Sequence, residues 1–159
     1  MIGKTIIANY GDPDMGKTAS VKLVYEKLQK VGEEVANEHG EKPLRTDNGD
    51  VCAMFEINGV RVGICSQGDP KSCQKGWMDR LVAAECLIIL ATCRHYGATE
   101  KLIESYESHG YRIYWTSNAR LFEHNTNPRV APRGIQARFN EQWAEEMARM
   151  IEDWCYTGK

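Results

Sequence analysis

The chain has 159 residues, of which 42% are hydrophobic and 26% charged, a balance that excludes wholesale disorder at a length sufficient to bury a core without staples. Its formal net charge of -2 lacks the basic excess of a dominant nucleic-acid footprint. The longest apolar run, Cys86–Ala91, is far too short to span a bilayer, and the first residues carry no signal-peptide pattern; a cytoplasmic chain without a membrane partner is expected.

In chain order, Thr5–Asn9 is predicted as the first strand. A glycine-containing segment follows, and then a helix with Val21, Val24, Leu28 and Val31 at helical spacing, with Gly32 as its stop. The polar stretch from Ala36 to Asp50 reads as a loop. Val51–Ile57 and Val60–Cys65 flank Asn58-Gly59, which supplies the two positive-φ residues of a type I′ hairpin turn. A second helix is predicted from about Cys73 to Glu85, with Trp77, Met78, Leu81 and Val82 on one face. Cys86–Thr92 reads as a buried strand, and Thr99 as the N-cap of a helix that ends at Gly110.

Tyr111–Thr116 is the next strand. After a loop containing Pro128 and Pro132, a final helix from about Ile135 to Trp154 carries a stripe of Phe139, Trp143, Met147, Met150, Ile151 and Trp154. Trp154 and Tyr156 are candidates for a contact surface, although core packing explains Trp154 equally well. No repeat or long linker divides the chain, so residues 1–159 read as a single domain in which strands and helices alternate. The six cysteines, Cys52, Cys65, Cys73, Cys86, Cys93 and Cys155, contain no Cys-x-x-Cys pair, and reduced, packed thiols are expected rather than zinc ligands or disulfides.

Gly11-Asp12-Pro13-Asp14-Met15-Gly16-Lys17-Thr18 fits the pattern G-x-x-x-x-G-K-S/T at every required position. The two glycines let backbone N–H groups point at one centre, where phosphate oxygens sit. Lys17 supplies positive charge to the β- and γ-phosphates, Thr18 offers a hydroxyl to Mg2+, and Ala19 continues the first helical turn, whose dipole adds to the field. The side chains of Asp12 and Asp14 are expected to point outward. From average residue usage, a chance match in a chain of this length arises about 0.5% of the time, and the strand–loop–helix context narrows it further.

With this motif the chain resembles the P-loop NTPase superfamily. That resemblance implies a three-layer α/β sandwich with a mostly parallel sheet and one antiparallel hairpin strand, Val51–Ile57. It also implies binding of a nucleoside triphosphate and Mg2+. The hairpin is similar to the antiparallel pair of small GTPase-like folds, where the second strand ends in Asp-x-x-Gly; here that place reads Ser66-Gln67-Gly68-Asp69. Ser66-Gln67-Gly68-Asp69-Pro70 and Trp115-Thr116-Ser117-Asn118-Ala119-Arg120 are also similar to small single-domain bacterial ATPase-like P-loop proteins. The usual strand-end acid is replaced by Ser66. Either Asp69 takes over its metal role from further along, or Ser66 contacts the metal shell itself, or Asp69 is an ordinary turn residue.

In a parallel sheet the strand carboxyl ends lie along one edge, where ligands bind. This would bring together the glycine loop, Ser66–Asp69, Thr92-Cys93-Arg94-His95 and Thr116–Arg120. Arg94 and Arg120 are candidates for stabilising phosphate charge in catalysis, beside Lys17 and Asp69, although each arginine also reads as an ordinary surface residue. His95 reads as a polar loop residue. Asn118 and Arg120 are candidates to border an adenine pocket, and the absence of Asn-Lys-x-Asp favours ATP over GTP. Arg129, Arg133 and Arg138 read either as a lid over phosphates or as a solvated loop. Three functions stand: a slow, switch-like ATPase read out by an unidentified protein partner, a phosphotransferase acting on a small metabolite or nucleotide, and a nucleotide-binding module without turnover.

Overall fold

The computed structural model describes residues 3–10, 17–68, 73–94, 97–118 and 134–158. Among these residues, twelve elements follow in chain order: β1 (Thr5–Tyr10), α1 (Lys17–Leu28), β2 (Glu33–Glu34), β3 (Arg45–Asp47), β4 (Asp50–Ile57), β5 (Val60–Cys65), α2 (Gln74–Ala83), β6 (Ile88–Cys93), α3 (Ala98–Ser105), a 3-10 turn (Tyr106–His109), β7 (Arg112–Thr116) and α4 (Ile135–Thr157). The strands form one mixed sheet in the order β2-β4-β5-β6-β1-β7, with β3 also pairing with β4. β5, β6, β1 and β7 are mutually parallel, and β4 runs against its neighbours.

Side-chain alternation divides the core between the two faces of this sheet. Ile6, Ala8, Met54, Ile89 and Ala91 pack on Trp77, Met78 and Leu81 of α2 and Ile103 of α3. Ile7, Phe55, Val62, Ile64, Ile88 and Leu90 pack on Val21, Val24 and Leu28 of α1 and on α4. Every residue of β6 is buried, as its unbroken apolar run requires of a strand covered on both faces. The structure is therefore α/β, with helices on both sides of a mostly parallel sheet.

Asn58 and Gly59 adopt φ of 49° and 76°, the paired positive values of the expected hairpin turn. The stretch from Ala36 to Asp50 departs from the loop expectation. Asn48 and Gly49, with φ of 49° and 82°, make a second turn of the same chemistry, folding β3 back onto β4. β3 is short and wholly exposed, so it carries no apolar alternation that would reveal a strand. Gly32 is not the helix stop: α1 ends at Leu28, and Gly32 lies where an added Cβ would come 2.5 Å from Ile57 Cγ1.

Thr99 is likewise not an N-cap. Gly97 occupies that position, and the Thr99 hydroxyl, one residue inside the helix, accepts the Arg94 N–H at 3.1 Å. Gly110 closes the following turn in the left-handed conformation, as expected. In α4 the deepest line is Asn140, Ala144, Ala148, Ile151 and Cys155, while Phe139, Trp143, Met147, Met150 and Trp154 flank it, half-buried. Small residues along that line let α4 lie close to α1, and the large side chains close the seam from either side. Five cysteines are buried and Cys73 is exposed, all as free thiols.

Candidate functional site

Because β1, β5, β6 and β7 are parallel, their carboxyl ends share one edge of the sheet, and α1 begins there. β1 ends at Tyr10 and α1 starts at Lys17. Gly11, Asp12, Pro13, Asp14, Met15, Gly16, Asp69, Pro70, His95, Ala119, Arg120, Arg129 and Arg133 lie outside the described residues. Lys17, Thr18 and Ala19 form the first turn of α1, with Thr18 and Ala19 exposed.

Lys17 reaches across the edge, and its Nζ donates to the main-chain oxygen of Cys93 at 3.1 Å. Burial pushes the Cys93 thiol up to about 11, against the opposing pull of the Thr99 hydrogen bond and the Lys17 ammonium. The Thr18 hydroxyl donates to the main-chain oxygen of Ser66 at 3.2 Å. That oxygen also accepts the Thr92 hydroxyl at 2.8 Å, and Gln74 of α2 donates to the Thr92 carbonyl at 2.6 Å. The ends of β5 and β6 are thus cross-linked beneath the start of α1. Gly68 follows closely enough that a Cβ there would lie 2.6 Å from Thr92 Oγ1, so only glycine fits without displacement.

Ser66, the candidate metal contact, is fully buried, and its own hydroxyl is engaged on the side of the hairpin. It accepts the Val51 N–H at 2.8 Å and donates to Asp50 Oδ1 at 3.0 Å. Gln67 Nε2 donates to Asp47 Oδ2 at 3.4 Å. Asp47 and Asp50 flank the Asn48-Gly49 turn and face each other in the β3–β4 register. Sequence reasoning missed both acids. The signal was the second Asn-Gly dipeptide, which folds them back to the end of β5.

Asn118 sits at the other side of the edge and is almost wholly buried. Its Oδ1 accepts Asn9 Nδ2 at 2.8 Å, and its Nδ2 donates to Ser20 Oγ and, at 2.7 Å, to Asn140 Oδ1. Gln136 also donates to Asn140 Oδ1, at 2.9 Å. One amide therefore ties the ends of β1 and β7 to α1 and to the start of α4. This places Asn118 as an anchor of the frame, its polar atoms committed within the protein rather than turned to a base. Asn9 is fully buried, and its Oδ1 has no hydrogen-bond partner among the described residues.

Arg94 stands half-buried just past the end of β6, with its main chain fixed by Thr99. Arg138 is the fourth residue of α4 and exposed, so it belongs to a regular helix rather than to a loop. Trp154 is half-buried with its ring 6.4 Å from that of Tyr114, whereas Tyr156 is exposed. Among the described residues, no group of three or more His, Cys, Asp or Glu side chains is placed to hold a metal ion, and no helix is long and apolar enough to cross a membrane. No family model, curated protein or solved structure matches the chain.

Proposed function

We propose that residues 11–18 hold the polyphosphate of a nucleoside triphosphate with Mg2+, and that the chain is a P-loop ATPase of slow, switch-like turnover. The observation that carries this reading is the placement of Lys17 and Thr18. Both stand in the first turn of α1, the element that follows the central parallel strand β1 in the chain, and both reach neighbouring strand ends, Cys93 and Ser66. A lysine ammonium and a threonine hydroxyl at that position suit a triphosphate and its cation, and the helix N-terminus adds partial positive charge. The donor set fits Mg2+, an oxygen-seeking ion that usually keeps several waters.

In this reading Lys17 exchanges its bond to the Cys93 carbonyl for the β- and γ-phosphate oxygens. Thr18 would offer a hydroxyl lone pair to the metal, which would supply charge neutralisation at the phosphates when bound. The missing guanine-reading sequence supports ATP over GTP.

The experiment is titration with ATP and GTP, with and without Mg2+, beside phosphate release, for the wild type and Lys17→Ala. Saturable ATP binding that the variant loses, with slow phosphate release, is the expected result. A wild-type chain that binds neither nucleotide would overturn the reading, and binding without phosphate release would reduce it to a nucleotide-binding module.

A further inference from the structure

The end of β5 carries Ser66 where the Asp-x-x-Gly pattern would set an acid. β4 runs antiparallel to β5, so β4 begins where β5 ends. Cys52 lies opposite Cys65, and the Ser66 N–H donates to the Val51 carbonyl at 3.0 Å, which continues the register one step further. Asp50 is the residue before Val51, and the Asn48-Gly49 turn brings Asp47 opposite it. Both carboxylates thus reach the sheet edge from the facing strand rather than along β5.

Ser66 links this pair of acids to the phosphate-binding helix. On one side its hydroxyl donates to Asp50 Oδ1 at 3.0 Å; on the other its carbonyl accepts the Thr18 hydroxyl at 3.2 Å. An independent observation points to a ligand here. Gln67 is 3% exposed, and its amide lies beside Asp47, yet its Oε1 has no hydrogen-bond partner among the described residues. A buried amide oxygen left without a donor is costly, and a water held by a cation satisfies it. Mg2+ typically takes one or two carboxylates and keeps several waters in its shell.

We propose that Asp50 is the metal-shell acid of this site. It holds a water of the Mg2+ that Thr18 ligates, Gln67 Oε1 accepts from the same hydration shell, and Asp47 orients the Gln67 amide. The assignment rests on the nucleotide reading above. It moves the acid from the end of one hairpin strand to the beginning of its partner.

The test uses the full chain with Mn2+ as the probe, its binding read by electron paramagnetic resonance in the presence of ATP, and with metal-free ATP affinity measured separately. Asp50→Asn keeps an oxygen for the Ser66 hydroxyl and removes the charge. It is expected to weaken Mn2+ binding about 10–100-fold, the range for partners that act on a metal through another group, while metal-free ATP affinity stays unchanged. Gln67→Ala leaves Asp50 in place and is expected to show a smaller loss; if Asp50→Asn does not fold, this variant decides. Wild-type Mn2+ affinity in the folded Asp50→Asn chain, or in Gln67→Ala should that chain not fold, would overturn the assignment and leave the nucleotide reading standing. A wild type that binds no ATP at all would overturn both.

Discussion

The Thr18 hydroxyl donates to the main-chain oxygen of Ser66 across 3.2 Å, tying the first turn of α1 to the end of β5 although β6 lies between β1 and β5 in the sheet. This bond separates two roles of one side chain. Thr18→Ser keeps the hydroxyl and is expected to preserve Mg2+-dependent ATP binding. Thr18→Ala is expected to lose about 10–100-fold of the Mg2+-dependent part, the equivalent of one hydrogen bond to a charged group, while metal-free ATP binding holds. Isothermal titration with and without Mg2+ checks this, and equal losses in both conditions would place the threonine's role in the fold alone.

Asn118 carries a different expectation, because its amide is spent on the frame. Asn118→Ala strands Asn9 Nδ2 and removes a donor from Asn140, in a region with almost no water to replace them. A loss of about 3 kcal/mol in unfolding free energy is expected, measured as a fall in the urea midpoint. A change within a few tenths of a kcal/mol would show that the network is not a structural clamp.

Two glycines with opposite surroundings give opposite signs. Gly68→Ala sets a Cβ 2.6 Å from Thr92 Oγ1 and 2.9 Å from the Thr92 main-chain carbon, so the backbone must yield. A cost of about 1–3 kcal/mol is expected, together with weaker ATP binding, since the shift opens the joint that also holds Ser66. Gly76 lies within α2 with nothing within 4 Å of an added Cβ. Gly76→Ala is expected to stabilise the chain by about 0.5–1 kcal/mol. Thermal melts of both variants check the pair, and a shared sign would sink the argument.

Much of the frame was legible because its signals are local. Asn58-Gly59 sits between two β-rich runs, and Gly110 closes a helical segment; each needs only a few neighbouring residues to act. Asn48-Gly49 has the same turn chemistry but does not announce a hairpin, because Arg45-Thr46-Asp47 is exposed on every residue and offers no alternation. The buried line of α4 is hidden for a related reason. Phe139, Trp143 and Met147 dominate any reading by hydrophobicity, yet close helix packing puts Ala144 and Ala148 deepest.

At this edge, the position of Lys17 and Thr18 in the first turn of α1 was legible from spacing, since helix entry follows a local pattern. Asp47, Asp50 and the Asn9–Asn118–Asn140 cluster were not, because they meet only through pairings between distant segments. The insertion of β6 between β1 and β5 is of the same kind, since parallel neighbours carry no turn that announces their pairing.

The buried thiols set the behaviour in base. Burial pushes Cys52 and Cys86 up to about 12 from an ordinary 9.0, and Cys155 to about 11, while Cys65 is driven higher still. A group whose folded value is raised keeps its full contribution to stability below its unfolded value. It loses that contribution as pH climbs from there toward the folded value, because only the unfolded chain releases the proton. Stability is therefore expected to be level up to about pH 9 and then to fall by about 1.4 kcal/mol per pH unit for each such thiol. Urea titrations at about pH 8 and about pH 10.5, under reducing conditions, measure the slope. Cys52→Ala lowers stability at both values by leaving a small cavity, but it should also flatten the alkaline slope by about one proton. An unchanged slope would mean that Cys52 ionises as readily in the folded chain as in the unfolded one, which its complete burial against α2 argues against.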